Sequence, residues 1–498
     1  MKIYNGYKRL NENYNLLSDM YEHTMANGYL VNGKDRKEAV FDVFFRKVPN
    51  NGGYAVMAGL DKIIEYILDL KFSDRDIDYF KRCGFSEEYI KYLKNFKFTG
   101  NIYAIPDGTP VFPNEPLITV KAPLIEAQII ETAILSIVNG AMEHATGARR
   151  IVEASPKGVG VMEFGARRAD GLDAANDSSI YGIMAGCMGT SNMMAADMLN
   201  MKAMGTMAHS WVESYPTEYD AFLAYAQVYP NNCLLLVDTY DTLRSGVPNA
   251  IKTFNKMKEM GLDTSNIGIR IDSGDLARLS KVSRQMLDEA GFPNAKICLS
   301  NGLTAETIGD LVKQGAKFDI LGVGDNISKP SGRMGCVYKE VALEENGEMV
   351  PKIKLSNDTI KIVNPGFKKL YRAYDKTTGY AIADIITRVG ERVSRDNLLI
   401  VSPVDDLKST VIDNFDLVEL QKPIFVSGNL VYDDPDISEK KAYCERKMAT
   451  IYKEVKRSLM PDEYYVSGTK EYVDFKRELI RETKVKVKRG REIWKNLM

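Results

Sequence analysis

Six short apolar runs in the middle of the chain constrain its fold more than any other feature. They are GVGVMEF ending at Phe164, AMGTMA at Ala208, CLLLV at Val237, IGIRI at Ile271, KICLS at Ser300 and DILGVG at Gly324. Helical patterns over 247–260, 276–290 and 305–314 separate several of them. Strands that alternate with helices pair in parallel through right-handed crossovers. Six units fall short of a complete eight-stranded barrel, so the pattern predicts an incomplete TIM-like α/β barrel, or one that borrows strands from elsewhere.

Polar and glycine-containing sets follow these runs in one recurring position. They are Glu163–Phe164–Gly165–Ala166–Arg167–Arg168, His209–Ser210, Asp238, Asp272–Ser273–Gly274–Asp275, Asn301–Gly302 and Gly322–Val323–Gly324–Asp325. Barrel active sites are built from the loops that follow the strands, so the sets are expected on one face.

The flanks read differently. Before the runs, the spacing predicts helices over 15–31, 54–70, 74–83 and 87–96, with Ser18 or Asp19 capping the first. A strand is expected over 39–48, short strands with tight turns over 101–123, and one long helix from 124 to about 154. Beyond 337 the chain turns β-rich, with a hairpin around the 375–379 turn, then a helical stretch over 438–459. A basic tail follows, carrying Lys484, Lys486, Lys488, Arg489 and Arg491. Its polar character and lack of interleaved aromatics read as a solvated face. Three domains are therefore expected: an α+β N-terminal domain over 1–150, the barrel over 151–345, and a β-rich C-terminal region with terminal helices over 346–498.

Of the 498 residues, 45% are hydrophobic and 27% charged, which excludes a disordered or collagen-like chain. Lys+Arg 66 against Asp+Glu 67 gives no global positive excess for a nucleic-acid backbone. The six cysteines include no C-x-x-C pair, so neither a zinc cluster nor a disulfide framework fits; free buried thiols are expected. No unbroken apolar segment suits a signal peptide or a bilayer span, and a cytoplasmic enzyme without nucleic-acid or membrane partners is expected.

Several residues have two readings. The loops G-C-M-G-T-S-N at 186–192 and G-V-G-D at 322–325 can hold phosphate through backbone N–H groups, or serve only as tight turns. Arg167 and Arg168 suit phosphate oxygens or surface ion pairs. Asp272 and Asp275 can hold Mg²⁺ or accept from sugar hydroxyls; capping of the following helix by Asp272 or Ser273 is the alternative. His209, one of three histidines, reads as a half-buried core residue or as a nucleophile or base oriented by a carboxylate such as Asp238. Composition and spacing thus reach a barrel enzyme for a phosphorylated ligand, and stop short of the substrate.

A set of motifs goes further. L-S-D-x-Y-x-x-T-M at 17–25, F-F-R-K at 44–47, E-F-G-A-R-R-A at 163–169, G-T-M-A-H-S at 205–210, I-R-I-D-S-G-D at 269–275, L-G-V-G at 321–324 and G-C-V-Y-K at 335–339 occur in that order. In these motifs the chain closely resembles the nicotinate phosphoribosyltransferases, type II phosphoribosyltransferases of NAD salvage. The resemblance implies transfer of a phosphoribosyl group from phosphoribosyl pyrophosphate to nicotinate. It also implies Mg²⁺, ATP as co-substrate, a phosphohistidine and a homodimer with shared active sites. His209 is the implied phosphorylated residue, with Asp238 and Asp272 as catalytic carboxylates; no specific metal ligands are assigned. Phe164 and Arg167 are implied to sandwich the pyridine ring, with Tyr21 of a neighbouring subunit completing the stack. Thr206, Ser210 and Arg270 are implied around the nicotinate, Arg270 facing its carboxylate. Arg46, Arg168, Gly302, Gly322 and Gly324 are implied phosphate contacts. Asp272, Ser273, Gly274, Asp275 and Ser328 are implied on the phosphoribosyl pyrophosphate. Asp325 departs from the Thr often found at its place in relatives, and Ser328 likewise stands where relatives often carry Thr.

The nearest rival is the nicotinamide phosphoribosyltransferase family. There an aspartate stands at the position of Ser191 and accepts from the amide; serine removes a carboxylate that would repel nicotinate. Quinolinate phosphoribosyltransferases are shorter and leave the C-terminal region unexplained. A nucleotide sensor without activity is disfavoured by the complete motif set, and a sugar-phosphate isomerase or aldolase rests on fold analogy alone.

Overall fold

In the computed structural model, residues 14–355, 363–405 and 407–497 are described, the side chains only as far as 487. They divide into two compact units. One spans 144–331; the other joins 14–143 with the described residues from 332 onward.

The 144–331 unit is built on one six-stranded sheet: β1 (Gly160–Glu163), β2 (Gly189–Thr190), β3 (Cys233–Leu236), β4 (Ile267–Ile271), β5 (Lys296–Ser300) and β6 (Ile320–Val323). Every pairing is parallel, in the order β2-β1-β6-β5-β4-β3. The first strand pairs with the last, Gly160 opposite Ile320. Read as a ring, the order is that of a barrel with a single missing pairing, between β2 and β3. The sheet is an incomplete α/β barrel that, among the described residues, borrows no strand from outside 160–323. Amphipathic helices Val247–Glu259, Leu276–Glu289 and Ala305–Lys313 cover it, as the sequence pattern predicts.

One expected strand is absent. AMGTMA forms no strand; the sixth strand is Gly189–Thr190 instead. Only the Met204 N–H reaches that strand, donating to the Thr190 carbonyl at 2.8 Å. A run of Ala, Met and Gly has weak strand preference, and a two-residue strand is too short to show a period. Consequently His209 does not follow a strand. It opens the short helix His209–Glu213 in the long connection that crosses the gap of the barrel.

The second unit holds a seven-stranded antiparallel sheet in which Glu38–Phe44 pairs with Val337–Glu345 and with Ile118–Pro123. Lys422–Val426 adds to Asn101–Ala104 in the same sheet. Segments from both ends of the chain therefore share one hydrogen-bonded layer. A six-stranded sheet contains the expected hairpin, Lys368–Asp375 with Ala381–Arg388. Its buried anchor is Arg372, whose Nε donates to Asp384 Oδ1 at 2.7 Å while Tyr464 donates to the same oxygen at 3.0 Å. The expected 54–70 helix begins only at Leu60, because Ala55–Val56 pairs with Pro110–Val111 and Gly59 turns the chain at φ +101°. The 124–154 helix is interrupted at Ile130, and the 438–459 helix is the shorter Ile437–Ala449. Of the basic tail, Lys488, Arg489 and Arg491 lie outside the residues whose side chains are described. All six cysteines are free, five of them buried; burial pushes the Cys233, Cys298 and Cys336 thiols up to about 12, which keeps them neutral and inert. Among the described residues no helix is long and apolar enough to cross a membrane.

Candidate active site

At the C-terminal ends of the strands a cavity of about 180 Å³ opens, lined among others by Phe164, Arg167, Arg168, Arg270, Asp272 and Asn301. Its floor is apolar: Phe164 packs with Met162, Leu234 and Cys298, and only 7% of it is exposed. The Arg270 guanidinium lies 5.5 Å from the centre of the Phe164 ring, within cation–π range. Its Nε donates to Ser300 Oγ at 2.9 Å and its Nη2 to Asp272 Oδ1 at 3.1 Å, while the Ser300 hydroxyl also donates to Asp272. One strand thus presents a fixed cation beside an aromatic face, with a carboxylate bonded to the cation.

Asp238 is the hinge of the polar part. Its side chain is almost fully buried; Oδ2 accepts the Asp272 N–H at 2.9 Å and the Ser273 hydroxyl at 2.6 Å. Its other oxygen, Oδ1, is buried and has no hydrogen-bond partner among the described residues. The His209 Nε2 lies 3.9 Å from that oxygen and 4.0 Å from Asp272 Oδ2. The ring Nδ1 is 3.1 Å from the Thr239 hydroxyl. This histidine is 40% exposed and faces two carboxylates, an arrangement that the core reading of it does not require.

Three family models cover most of the chain: the nicotinate phosphoribosyltransferase N-terminal domain over 16–139, the nicotinate phosphoribosyltransferase family over 159–373, and its C-terminal domain over 367–476. The nicotinate phosphoribosyltransferase of Bacillus subtilis is 41% identical over 486 residues, spanning 97% of this chain and 98% of that one. The chain belongs to the nicotinate phosphoribosyltransferase family. A Dictyostelium discoideum nicotinate phosphoribosyltransferase is 32% identical, covering 92% of this chain and 87% of its own. The crystal structure of human nicotinic acid phosphoribosyltransferase superposes with a TM-score of 0.81 at 25% identity, over 93% of this chain and 99% of that one. A Pyrococcus furiosus nicotinate-nucleotide pyrophosphorylase shares the fold, with a TM-score of 0.67 at 22% identity over 89% and 99% of the two chains.

The barrel unit of this phosphoribosyltransferase gathers most of the residues singled out in the sequence. Phe164, Arg167, Arg168, Arg270, Asp272, Gly302, Gly322 and Gly324 line the cavity. Arg168 lies 3.4 Å from Asp325, with both side chains well exposed. Ser191 donates its N–H to the Glu163 carbonyl at 3.0 Å, and the G-T-M-A-H-S segment passes beside it: a Cβ on Gly205 would stand 4.0 Å from the Ser191 Cβ. The Thr206 hydroxyl donates to the Met207 carbonyl, and Ser210 is exposed on the His209–Glu213 helix. Gly274 turns at φ +77° between Ser273 and Asp275. Tyr21 and Arg46 belong to the other unit.

Local structure resolves some of the double readings. Asp275, and neither Asp272 nor Ser273, caps the helix Leu276–Glu289, accepting the Arg278 N–H at 2.9 Å. Ser328 is buried, its N–H and hydroxyl both directed to the Gly324 carbonyl. Gly322 has a packing requirement, since a Cβ there would come within 2.6 Å of the Phe164 ring. Gly189 is likewise hemmed in by Met204. Gly302 sits at φ +59°, where glycine costs least.

Three structural roles escaped sequence reasoning. Glu163, fully buried, accepts from the Gly165 N–H, from Ser179 at 2.8 Å and from Thr190 at 2.6 Å, tying the arginine loop to a helix and to β2. Ser300 links Arg270 to Asp272, and Thr239 meets His209. A buried acid inside a motif was a signal for Glu163; a lone hydroxyl offers none.

Proposed function

We propose that this enzyme transfers the phosphoribosyl group of phosphoribosyl pyrophosphate to the ring nitrogen of nicotinate, and couples that transfer to ATP hydrolysis through His209. The C1–oxygen bond to pyrophosphate breaks as the pyridine lone pair forms the C1–nitrogen bond, giving nicotinate mononucleotide and pyrophosphate. Nicotinate needs no general base, because its ring nitrogen is unprotonated at neutral pH. The Phe164 face holds the flat ring, Arg167 is its other wall, and the Arg270 guanidinium beside Phe164 pairs with the carboxylate. Ser191, Thr206 and Ser210 complete the nicotinate side without adding a negative charge. Arg168 and the loops around Gly274, Gly302 and Gly324 take the phosphates, where each fixed donor to developing charge is worth roughly 3–4 kcal/mol.

In the coupling step a ring nitrogen of His209 bonds to the γ-phosphorus of ATP while the bond to the ADP oxygen breaks; water later cleaves the nitrogen–phosphorus bond to release phosphate. The observation that carries this reading is the His209 ring, partly exposed and 3.9 Å from a buried carboxylate oxygen that has no hydrogen-bond partner among the described residues. Asp238 and Asp272 are hard oxygen donors that fit Mg²⁺, which neutralises polyphosphate charge. Tyr21, 45% exposed on the helix Met20–Val31, is available to a second subunit of a homodimer, where it completes the stack on the partner's nicotinate.

The test compares nicotinate with nicotinamide as acceptors, with phosphoribosyl pyrophosphate and Mg²⁺, with and without ATP, for the wild type and His209→Ala. Preference for nicotinate and ATP stimulation lost only in the variant are expected. Equal use of nicotinamide overturns the reading of Ser191, and ATP stimulation retained by His209→Ala overturns the phosphohistidine.

A further inference from the structure

The backbone around His209 does little to orient its ring. Residues 201–208 carry neither helix nor strand, and the helix that follows has five residues and no side-chain cap. Ring orientation therefore depends on side-chain contacts. Among the described residues one hydrogen bond reaches the ring, between Nδ1 and the Thr239 hydroxyl at 3.1 Å. Thr239, in contrast, has a rigid mount just past β3. The Val237 N–H donates to the Arg270 carbonyl at 3.1 Å, and Asp238 is bonded to both Asp272 and Ser273. On the other side the Asp241 carboxylate closes the next turn by accepting the Leu243 and Arg244 N–H groups.

The geometry points to Thr239 as a positioning residue for phosphoryl transfer at His209, an inference that rests on the proposed phosphorylation of that histidine. Rotating the imidazole about its Cβ–Cγ bond breaks the Thr239 contact, so the hydroxyl keeps Nε2 directed at Asp238 and Asp272. A hydroxyl has a further property that a carboxylate or an amide nitrogen lacks at this place. It donates to a bare Nδ1 and accepts from Nδ1–H, so it follows the ring through both protonation states without adding charge. A ring that must gain and lose a phosphoryl group needs that neutrality next to two carboxylates.

The experiment uses the full chain as Thr239→Val, which removes the hydroxyl at nearly constant shape, Thr239→Ser, which keeps it, and His209→Ala. Acid-labile incorporation of label from γ-labelled ATP is measured beside turnover without ATP and thermal unfolding. Hydrogen-bond partners that orient metal-ligating histidines change activity about 10–100-fold when removed, and the lower end is expected for a neutral hydroxyl. Thr239→Val is expected to slow label incorporation by about tenfold more than it slows ATP-independent turnover, and Thr239→Ser to recover most of the loss. Incorporation at the wild-type rate in Thr239→Val, or an equal loss in both reactions, overturns the inference. If His209→Ala still takes up label, the phosphohistidine itself is refuted. If it does not and Thr239→Val does, Thr239 alone is refuted. Should Thr239→Val fail to fold, Thr239→Ala carries the same comparison.

Discussion

Asp238 grips Asp272 by its backbone rather than by its side chain: one Asp238 oxygen accepts the Asp272 N–H at 2.9 Å, and the other is left facing His209. The loops after β3 and β4 are fixed to each other by this bond. The Asp272 carboxylate stays available to Arg270, Ser300 and the cavity. A carboxylate buried with half of its hydrogen-bonding capacity unused is costly unless something else uses it.

Asp238→Asn should therefore separate the two tasks. The amide oxygen still accepts the Asp272 N–H, but the charge beside His209 is lost. ATP-coupled turnover is expected to fall about 10–100-fold, with unfolding temperature changed little. A loss of stability without a loss of coupling would contradict this assignment; steady-state rates with and without ATP, beside calorimetry, measure it.

Gly322→Ala places a Cβ 2.6 Å from the Phe164 ring. The ring sits on a packed floor, so overpacking should cost about 1–3 kcal/mol and tilt the aromatic face. A raised KM for nicotinate, together with a lower melting temperature, is the expected result. The same change at Gly309, where nothing lies within 4 Å and φ is not positive, is the control for an added Cβ that meets no ring.

Arg372→Met removes the cation from a fully buried pair and leaves Asp384 uncompensated. Breaking such a pair from one side costs about 3–5 kcal/mol. Chemical denaturation should show that loss, and the double change Arg372→Met with Asp384→Leu should recover much of it.

Two adjacent buried groups give opposite pH dependences. Burial raises the Glu22 carboxyl from 4.5 to about 7, despite the Thr132 contacts that favour its charge, and burial lowers His23 from 6.5 to about 4. The Glu22 contribution is fully present below pH 4.5 and is lost as pH rises to about 7. The His23 contribution is present above pH 6.5 and is lost as pH falls to about 4. The two slopes offset each other between pH 4.5 and 6.5. Glu22→Gln should remove the falling slope and expose a rise in stability with pH across that window, read from denaturation midpoints. A flat profile in the variant would contradict it.

Much of the barrel was legible because its strands are continuous apolar runs, buried on both faces, and its helices carry a clear amphipathic period. Asp272, Arg270 and Phe164 could be placed at strand ends for the same reason. Thr239 and Ser300 could not be picked out, since a hydroxyl becomes significant only when another loop delivers its partner. AMGTMA misled because hydrophobicity was present without the backbone pairing that makes a strand.

By itself, the sequence determined the parallel strand–helix series, the buried free cysteines, and through its motifs the family. Local periodicity and residue chemistry encode those properties within short windows. Tertiary structure decided that β1 pairs with β6, that both ends of the chain share one sheet, and that Asp238, Asp272 and Thr239 meet around His209. Those contacts join residues about 30 to 300 positions apart, and only long-range packing and hydrogen bonding bring such residues together.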